Sequence, residues 1–130
     1  MKNKIMFAVI TMSFISNFAF ADFRDVSNAE QAVIIKTTVK LAIYKAKNLV
    51  CKQNGNVGNV QKTDLMNIVS SATALAIDED DSSNANTLKL NSSYSGQDLT
   101  ALVKRQGDSV NEIDVTLVNA SNLTITCTLN

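Results

Sequence analysis

The chain has 130 residues, among which twelve basic residues balance twelve acidic ones and histidine is absent. Without histidine there is no Ser-His-Asp or Cys-His nucleophile system, and the usual transition-metal ligand is missing. The balanced charge argues against nucleic-acid binding, which needs a clustered basic surface.

Residues 1–21 have the three-part organisation of a secretory signal peptide. A start carrying Lys2 and Lys4 leads into an apolar run over 5–20, and Ala19-Phe20-Ala21 is a small-x-small cleavage site. The run is short for a membrane span, which needs about 20 residues. We expect cleavage after Ala21, which leaves 22–130 as one small domain of net charge about −2 without membrane attachment. The lysine-led start is typical of bacteria and predicts a periplasmic or secreted protein.

The stretch from Ser27 to Lys52 has the pattern of an amphipathic helix, which we predict over 27–53. Ser27 and Glu30 form a capping box at its start. Ile34 and Leu41 lie on a second side, so the helix is expected to be covered from two directions. The main apolar positions recur at spacings of three, four and seven: Ala32, Ile35, Val39, Ala42, Ile43, Ala46, Leu49 and Val50.

Three lysines gather on another side of this helix, near Tyr44. Lys36, Lys40 and Lys47 are the candidate interaction surface for a partner. A solvated helix face accounts for the same pattern, because lysine stems cover helix surface while their charges stay in water.

A glycine- and asparagine-rich connector, Asn54 to Val60, separates this helix from a second one, predicted from Asp64 to Ile77. Thr63 or Asp64 caps it. The short connector predicts that the two helices form an antiparallel pair. Its apolar face comprises Leu65, Val69, Ala72 and Ala76.

Four consecutive acids over 78–81 follow the second helix. In the loop from Asp78 to Asn86, side chains with oxygen atoms alternate as calcium ligands do in an EF-hand: Asp78, Asp80, Ser82, Asn84 and Asn86. The motif's glycine at position six is replaced by Ser83, and its glutamate at position twelve by Lys89. A solvated acidic loop is the preferred interpretation, and a calcium-binding protein is an alternative.

From residue 87 onward the apolar period changes to two, which predicts strands over 87–94, 111–118 and 123–129. The segment 100–105 fits either a helical turn or a strand. Together with the helices, these strands predict an α+β domain of two layers. Two N-terminal antiparallel helices would pack on an antiparallel sheet of three to four strands.

The two cysteines predict one disulfide. Cys51 falls in the last turn of the predicted first helix, and Cys127 falls on the apolar row of the last strand. Exported chains with an even cysteine count usually pair them, and the C-x-x-C spacing of redox enzymes is missing. A Cys51–Cys127 bridge would join the first helix to the sheet.

The sequence contains no catalytic or cofactor motif. Gly55 and Gly58 are not followed by the Gly-Lys-Ser/Thr ending of a phosphate loop. Catalytic carboxylates need unequal environments, which consecutive exposed acids do not provide. The interpretation is therefore an exported, non-enzymatic binding or accessory module, such as an inhibitor or virulence-type factor, that acts through contacts with a protein partner and uses no cofactor.

An apolar N-terminal run, then an amphipathic helix, then a sheet with a late cysteine resembles the layout of type IV pilins. That resemblance implies a structural subunit that assembles into fibres. The pilin motif has a glycine before its cleavage site and a glutamate at the fifth mature position, and the stretch Lys4 to Val9 has neither. A pilin-like subunit is a second alternative.

Overall fold

The computed structural model describes residues 28–53, 56–78, 86–107 and 109–130, together with Phe23 and Val26. This part of the chain contains two helices and one antiparallel sheet, with one disulfide. The α+β class is therefore confirmed. In chain order the elements are α1 (Ala29–Lys45), β1 (Leu49–Gln53), β2 (Asn56–Val57), α2 (Lys62–Ser70), β3 (Ala74–Ile77), β4 (Thr87–Tyr94), β5 (Gln97–Gln106), β6 (Ser109–Leu117) and β7 (Ala120–Leu129).

Within the described residues the sheet has seven strands in the order β2-β1-β7-β6-β5-β4-β3, and each neighbouring pair is antiparallel. The prediction of three to four strands was wrong, although β2 contributes only two residues. The helices do not precede the sheet as a block. They alternate with short strands that extend a four-stranded meander, β4 to β7, at both of its edges.

Helix α1 begins and ends at positions different from those predicted. Its N-cap is Asn28, whose Oδ1 accepts hydrogen bonds from the backbone N–H groups of Glu30 at 2.9 Å and Gln31 at 3.2 Å. The predicted cap, Ser27, lies outside the described residues. The helix ends at Lys45, because Ala46 takes an extended backbone conformation. The predicted continuation to residue 53 is instead strand β1.

The prediction that α1 continues beyond Lys45 was wrong for a physical reason. Leu49 and Cys51 suit a helical stripe, but they also alternate with the exposed Val50 and Lys52 as a strand requires. Pairing with β7 satisfies the backbone groups of 49–53, which the isolated sequence pattern does not reveal.

Helix α2 is also shorter than predicted. It runs from Lys62 to Ser70, and the Asp64 carboxylate accepts the backbone N–H of Gln61 at 2.9 Å, so Asp64 lies in the first turn. The rest of the predicted helix 64–77 contains strand β3. There Leu75 and Ile77 are half-buried and alternate with exposed alanines. A four-residue apolar segment fits either period, and pairing with β4 decides between them.

The C-terminal strands agree with the sequence. Thr87–Tyr94 has the predicted bounds, and the ambiguous segment 100–105 lies within β5. Strand β7 contains the predicted strand 123–129, and β6 covers the predicted strand 111–118 except for its last residue, which lies in the turn. Ser95 and Gly96, with φ of 54° and 76°, form the two-residue turn between β4 and β5. Positive φ at both positions is the type I′ geometry, whose twist matches that of paired strands.

The hydrophobic core lies between the two helices and one face of the sheet. Helix α1 contacts β6, and α2 contacts β4. The Ser92 hydroxyl, buried on this face, donates to the Ile68 carbonyl at 2.6 Å and fixes α2 to β4. The apolar core side chains include Ile35, Val39 and Ile43 from α1, Leu65, Ile68 and Val69 from α2, and Leu88, Leu90, Ala101, Val103, Ile113, Val115 and Cys127 from the strands.

The predicted Cys51–Cys127 disulfide is confirmed, but it joins two neighbouring strands. Cys51 on β1 lies directly opposite Cys127 on β7, with the Cα atoms 4.0 Å apart. The Cys51 carbonyl accepts the N–H of Gly58 at 2.8 Å, and therefore points away from β7. The cysteines thus occupy a non-hydrogen-bonded pair of the β1–β7 ladder, where side chains approach most closely.

We expect the Cys51→Ser/Cys127→Ser variant to lose roughly 4 kcal/mol of unfolding free energy, since the bridge closes a long loop in the unfolded chain. The two residues are separated by 76 positions. Thermal and urea unfolding, with and without reductant, measure this loss. Reduction should lower the stability of the wild type to that of the variant and leave the variant unchanged. A wild type insensitive to reductant would contradict the prediction.

Candidate functional site

The described residues place one helix face in a position suited to binding. Helix α1 packs its buried side, formed by Ile35, Val39 and Ile43, against the sheet and α2. Since an α-helix advances about 100° per residue, the opposite side of α1 points away from the core.

Two lysines fix α1 relative to α2 by reciprocal hydrogen bonds. Lys36 of α1 donates to the carbonyls of Ser70, at 3.2 Å, and Ala72, at 3.3 Å, where α2 ends. Lys62 of α2 donates to the carbonyls of Tyr44, at 3.1 Å, and Ala46, where α1 ends. Each ammonium thus lies at the negative end of the other helix's dipole. Each lysine thus connects its own helix to the end of the other.

The side of α1 that points away from the core carries an apolar surface. Val33 is 64% exposed and Tyr44 is 67% exposed, whereas Ile34 and Leu41 beside them are half-buried. Thr37, exposed between them, donates its hydroxyl to the Val33 carbonyl at 3.0 Å, so that its polar atom is already occupied within the helix. We call these five residues the outward α1 face.

Charges of opposite sign lie at the two ends of the outward α1 face. Glu30 is in the first turn of α1 and Lys45 is in the last, and both are exposed. Each sign also complements the helix dipole at its own end. The half-buried Lys40 lies one turn before Tyr44.

The three lysines predicted as an interaction surface do not share one helix face. Lys36 is engaged at the end of α2, and only Lys40 borders the outward α1 face. Lys47 follows the helix, and its backbone N–H donates to the Asn130 carbonyl at 2.8 Å. The sequence pattern extended the helix too far and therefore assigned Lys47 to it.

The exposure of Val33 and Tyr44 was not predicted. The available signal was the presence of Ile34 and Leu41 off the main apolar stripe, which suggested a second covered side. In the structure this second side is apolar, but it is open at Val33 and Tyr44.

The candidate calcium loop lies largely outside the described residues. Of its candidate ligands Asp78 and Asn86 are described, both as half-buried, and Asp80, Ser82 and Asn84 are outside. Lys89, at the position of the motif's glutamate, is exposed on β4. Among the residues that the structure describes, no group of three or more acidic or sulfur side chains is arranged to hold a metal ion.

The outer face of the sheet carries a cluster of one positively charged and two negatively charged side chains. Lys104 on β5 lies 3.0 Å from Asp114 and 3.2 Å from Glu112, both on β6. The hydrogen bond to Asp114, aided by the one to Glu112, raises the pKa of Lys104 above its usual value. An ammonium held between two carboxylates stays protonated, so this cluster stabilises the β5–β6 pair and does not supply a proton donor near neutral pH.

Among the residues that the structure describes, two open depressions lie apart from the outward α1 face. The larger, about 510 Å³, runs beside β1 and the start of α2 and contains one ionisable side chain, Lys62, which is engaged at the end of α1. The smaller, about 330 Å³, lies where β5 and β6 meet and includes Lys104 and Glu112, which pair with each other.

A second ionisable pair fixes α2 to the sheet. The Tyr94 hydroxyl donates to Asp64 Oδ1 at 2.7 Å, while Asp64 Oδ2 accepts the backbone N–H of Gln61. The N–H of Gln61 and then the Tyr94 hydroxyl hold the pKa of Asp64 below its usual value of 3.8. The hydrogen bond between the Tyr94 hydroxyl and Asp64 raises the pKa of Tyr94 above its usual value.

No protein-family model, curated protein or solved structure matches this chain. Within the ranges described, neither helix has the length and hydrophobicity needed to cross a bilayer. The disulfide indicates a protein that folds outside the reducing cytoplasm.

We expect Lys36→Met to lower the free energy of unfolding by about 1 kcal/mol, because the carbonyls of Ser70 and Ala72 lose their donor. Lys40→Met removes the same charge one turn later on α1, where the structure shows no hydrogen bond from this side chain to a described residue, and is the matched control. Urea unfolding of both variants measures the difference. Equal losses in the two variants would contradict the proposed role of Lys36.

The lowered pKa of Asp64 predicts an acid-sensitive contribution to stability. This contribution is fully present above the unfolded-state pKa and is lost as the pH falls through the lower folded-state pKa. We therefore expect the stability difference between wild type and Asp64→Asn to shrink as the pH falls from about 6 to about 2. Asp98→Asn, at an exposed position of β5, is the control. A difference that stays constant with pH would refute the assignment.

Proposed function

We propose that this chain is an exported, non-enzymatic binding module that contacts another protein chain through the outward α1 face. The observation that carries the proposal is the exposure of two apolar side chains, Val33 at 64% and Tyr44 at 67%. They lie beside Ile34 and Leu41 on one side of a helix whose other side is packed in the core. Apolar side chains grouped on one exposed helix face are a common mode of protein recognition.

The surroundings of α1 support this role. Three restraints hold the helix: its core contacts, the two lysine contacts with α2, and the short connection to β1, which the disulfide fixes to β7. A surface held in one conformation before binding loses little conformational entropy when a partner docks. Tyrosine adds a large, rigid contact area and is enriched among residues that dominate binding energy.

Two observations support export. The segment 1–21 has the pattern of a secretory signal with a cleavage site after Ala21. The disulfide is typical of proteins in the periplasm or the medium. The proposed place of action is therefore the bacterial envelope or the medium around it.

A photo-crosslinking side chain tests the binding role directly. Introduced in place of Tyr44 in the exported protein, it should give an adduct of defined mass, while the same group in place of Val118 should give none. Val118, in the turn between β6 and β7, is 58% exposed and is the matched apolar control. Equal labelling at both positions, or none at either, would contradict the proposal.

Substitution at the same positions gives a quantitative prediction. We expect Val33→Ser to weaken the captured complex by roughly tenfold or more, because truncating an apolar side chain that contacts the partner costs binding energy. Val118→Ser should leave the affinity unchanged. The affinities are measured by titration of the purified partner, and both variants should keep the wild-type melting temperature. Equal affinities for the two variants would exclude the outward α1 face as the contact surface.

A further inference from the structure

We infer that the partner of the outward α1 face is a second copy of this chain, bound as a two-fold symmetric pair of antiparallel α1 helices. The inference depends on the proposed function and identifies its partner. It is based on the order of apolar, small and charged residues along α1, which is self-complementary when the helix is reversed.

The first argument is the spacing along the helix. Counted from the midpoint between Thr37 and Thr38, Ile34 and Leu41 are equally distant, and so are Glu30 and Lys45. A two-fold axis through this midpoint places each residue of α1 opposite its counterpart on the second helix. Ile34 then faces the Leu41 of the other copy.

The second argument is charge. In the antiparallel arrangement each Glu30 faces the Lys45 of the other copy, so the dimer gains two ion pairs, and the two helix dipoles oppose each other. A parallel arrangement would instead bring Glu30 against Glu30 and Lys45 against Lys45. The charges therefore select the antiparallel pair and disfavour the parallel one.

The third argument is the shape at the crossing point. Thr37 and Thr38 donate their hydroxyls to the carbonyls of Val33 and Ile34, at 3.0 and 2.9 Å, and thus require no hydrogen-bond partner from another chain. Short side chains at the midpoint allow the two helix axes to approach within the usual 8–10 Å. Val33 and Tyr44, which lie to one side of the two-fold axis on each helix, then flank the contacts between Ile34 and Leu41.

The size of the helix limits the strength of the pair. Seventeen residues span about 25 Å, so the contact falls at the low end of specific interfaces. We therefore expect a dimer that forms with a dissociation constant in the micromolar range and exchanges readily.

Charge reversal provides the test, with sedimentation equilibrium of the purified chain as the measurement. Glu30→Lys and Lys45→Glu should each raise the dissociation constant roughly tenfold or more, because both end contacts of the dimer become repulsive. An equimolar mixture of the two variants should dimerise as well as the wild type. In the mixed pair every end contact again joins opposite charges. Loss of helix stability alone cannot produce this recovery.

The outcomes separate this inference from the proposed function. A wild type that stays monomeric up to about 1 mM overturns the inference, as does a dimer that neither single reversal weakens. If the crosslinker at Tyr44 then joins the chain to a different protein, the proposed function stands without the dimer. The inference is supported by a crosslinked species of twice the chain mass that is lost in Glu30→Lys and recovered in the mixture of the two variants.

Discussion

The pairing of β1 with β7 is the contact on which the rest of the structure depends. These are the first and the last strand of the described chain, and the disulfide joins Cys51 to Cys127 across their ladder. The backbone of Asn48 continues the ladder by exchanging hydrogen bonds with Asn130. Because only three residues separate α1 from β1, this ladder also fixes where the helix ends on the sheet.

The orientation of α1 follows from that constraint together with the contacts of α2. Lys62 holds the end of α1, and Lys36 holds the end of α2, so neither helix is free to turn about its axis. The core takes up Ile35, Val39 and Ile43, and Val33 and Tyr44 are left exposed on the outward α1 face. The same forces that stabilise the fold therefore determine which side of α1 is available for binding.

The sequence predicted local features better than long-range ones. The disulfide and the strand 87–94 were predicted, because cysteine count and periodicity are visible in a single chain. The sequence did not predict that β1 and β3 are strands. A short apolar segment such as 74–77 suits a helix or a strand equally, and only pairing with a neighbouring strand decides between them. The outward α1 face was missed because apolar periodicity does not distinguish a covered side from an open one.

The position of the disulfide has a consequence for resistance to proteolysis. The bridge encloses most of the described domain in one covalent ring, with a separation of 76 residues between the cysteines. A single backbone cut inside this ring yields two fragments that stay linked through the bridge. Since β1 and β7 also stay paired, the cleaved molecule keeps its strands in register, and its two fragments can refold together. Only a second cut, or reduction of the bridge, releases a fragment.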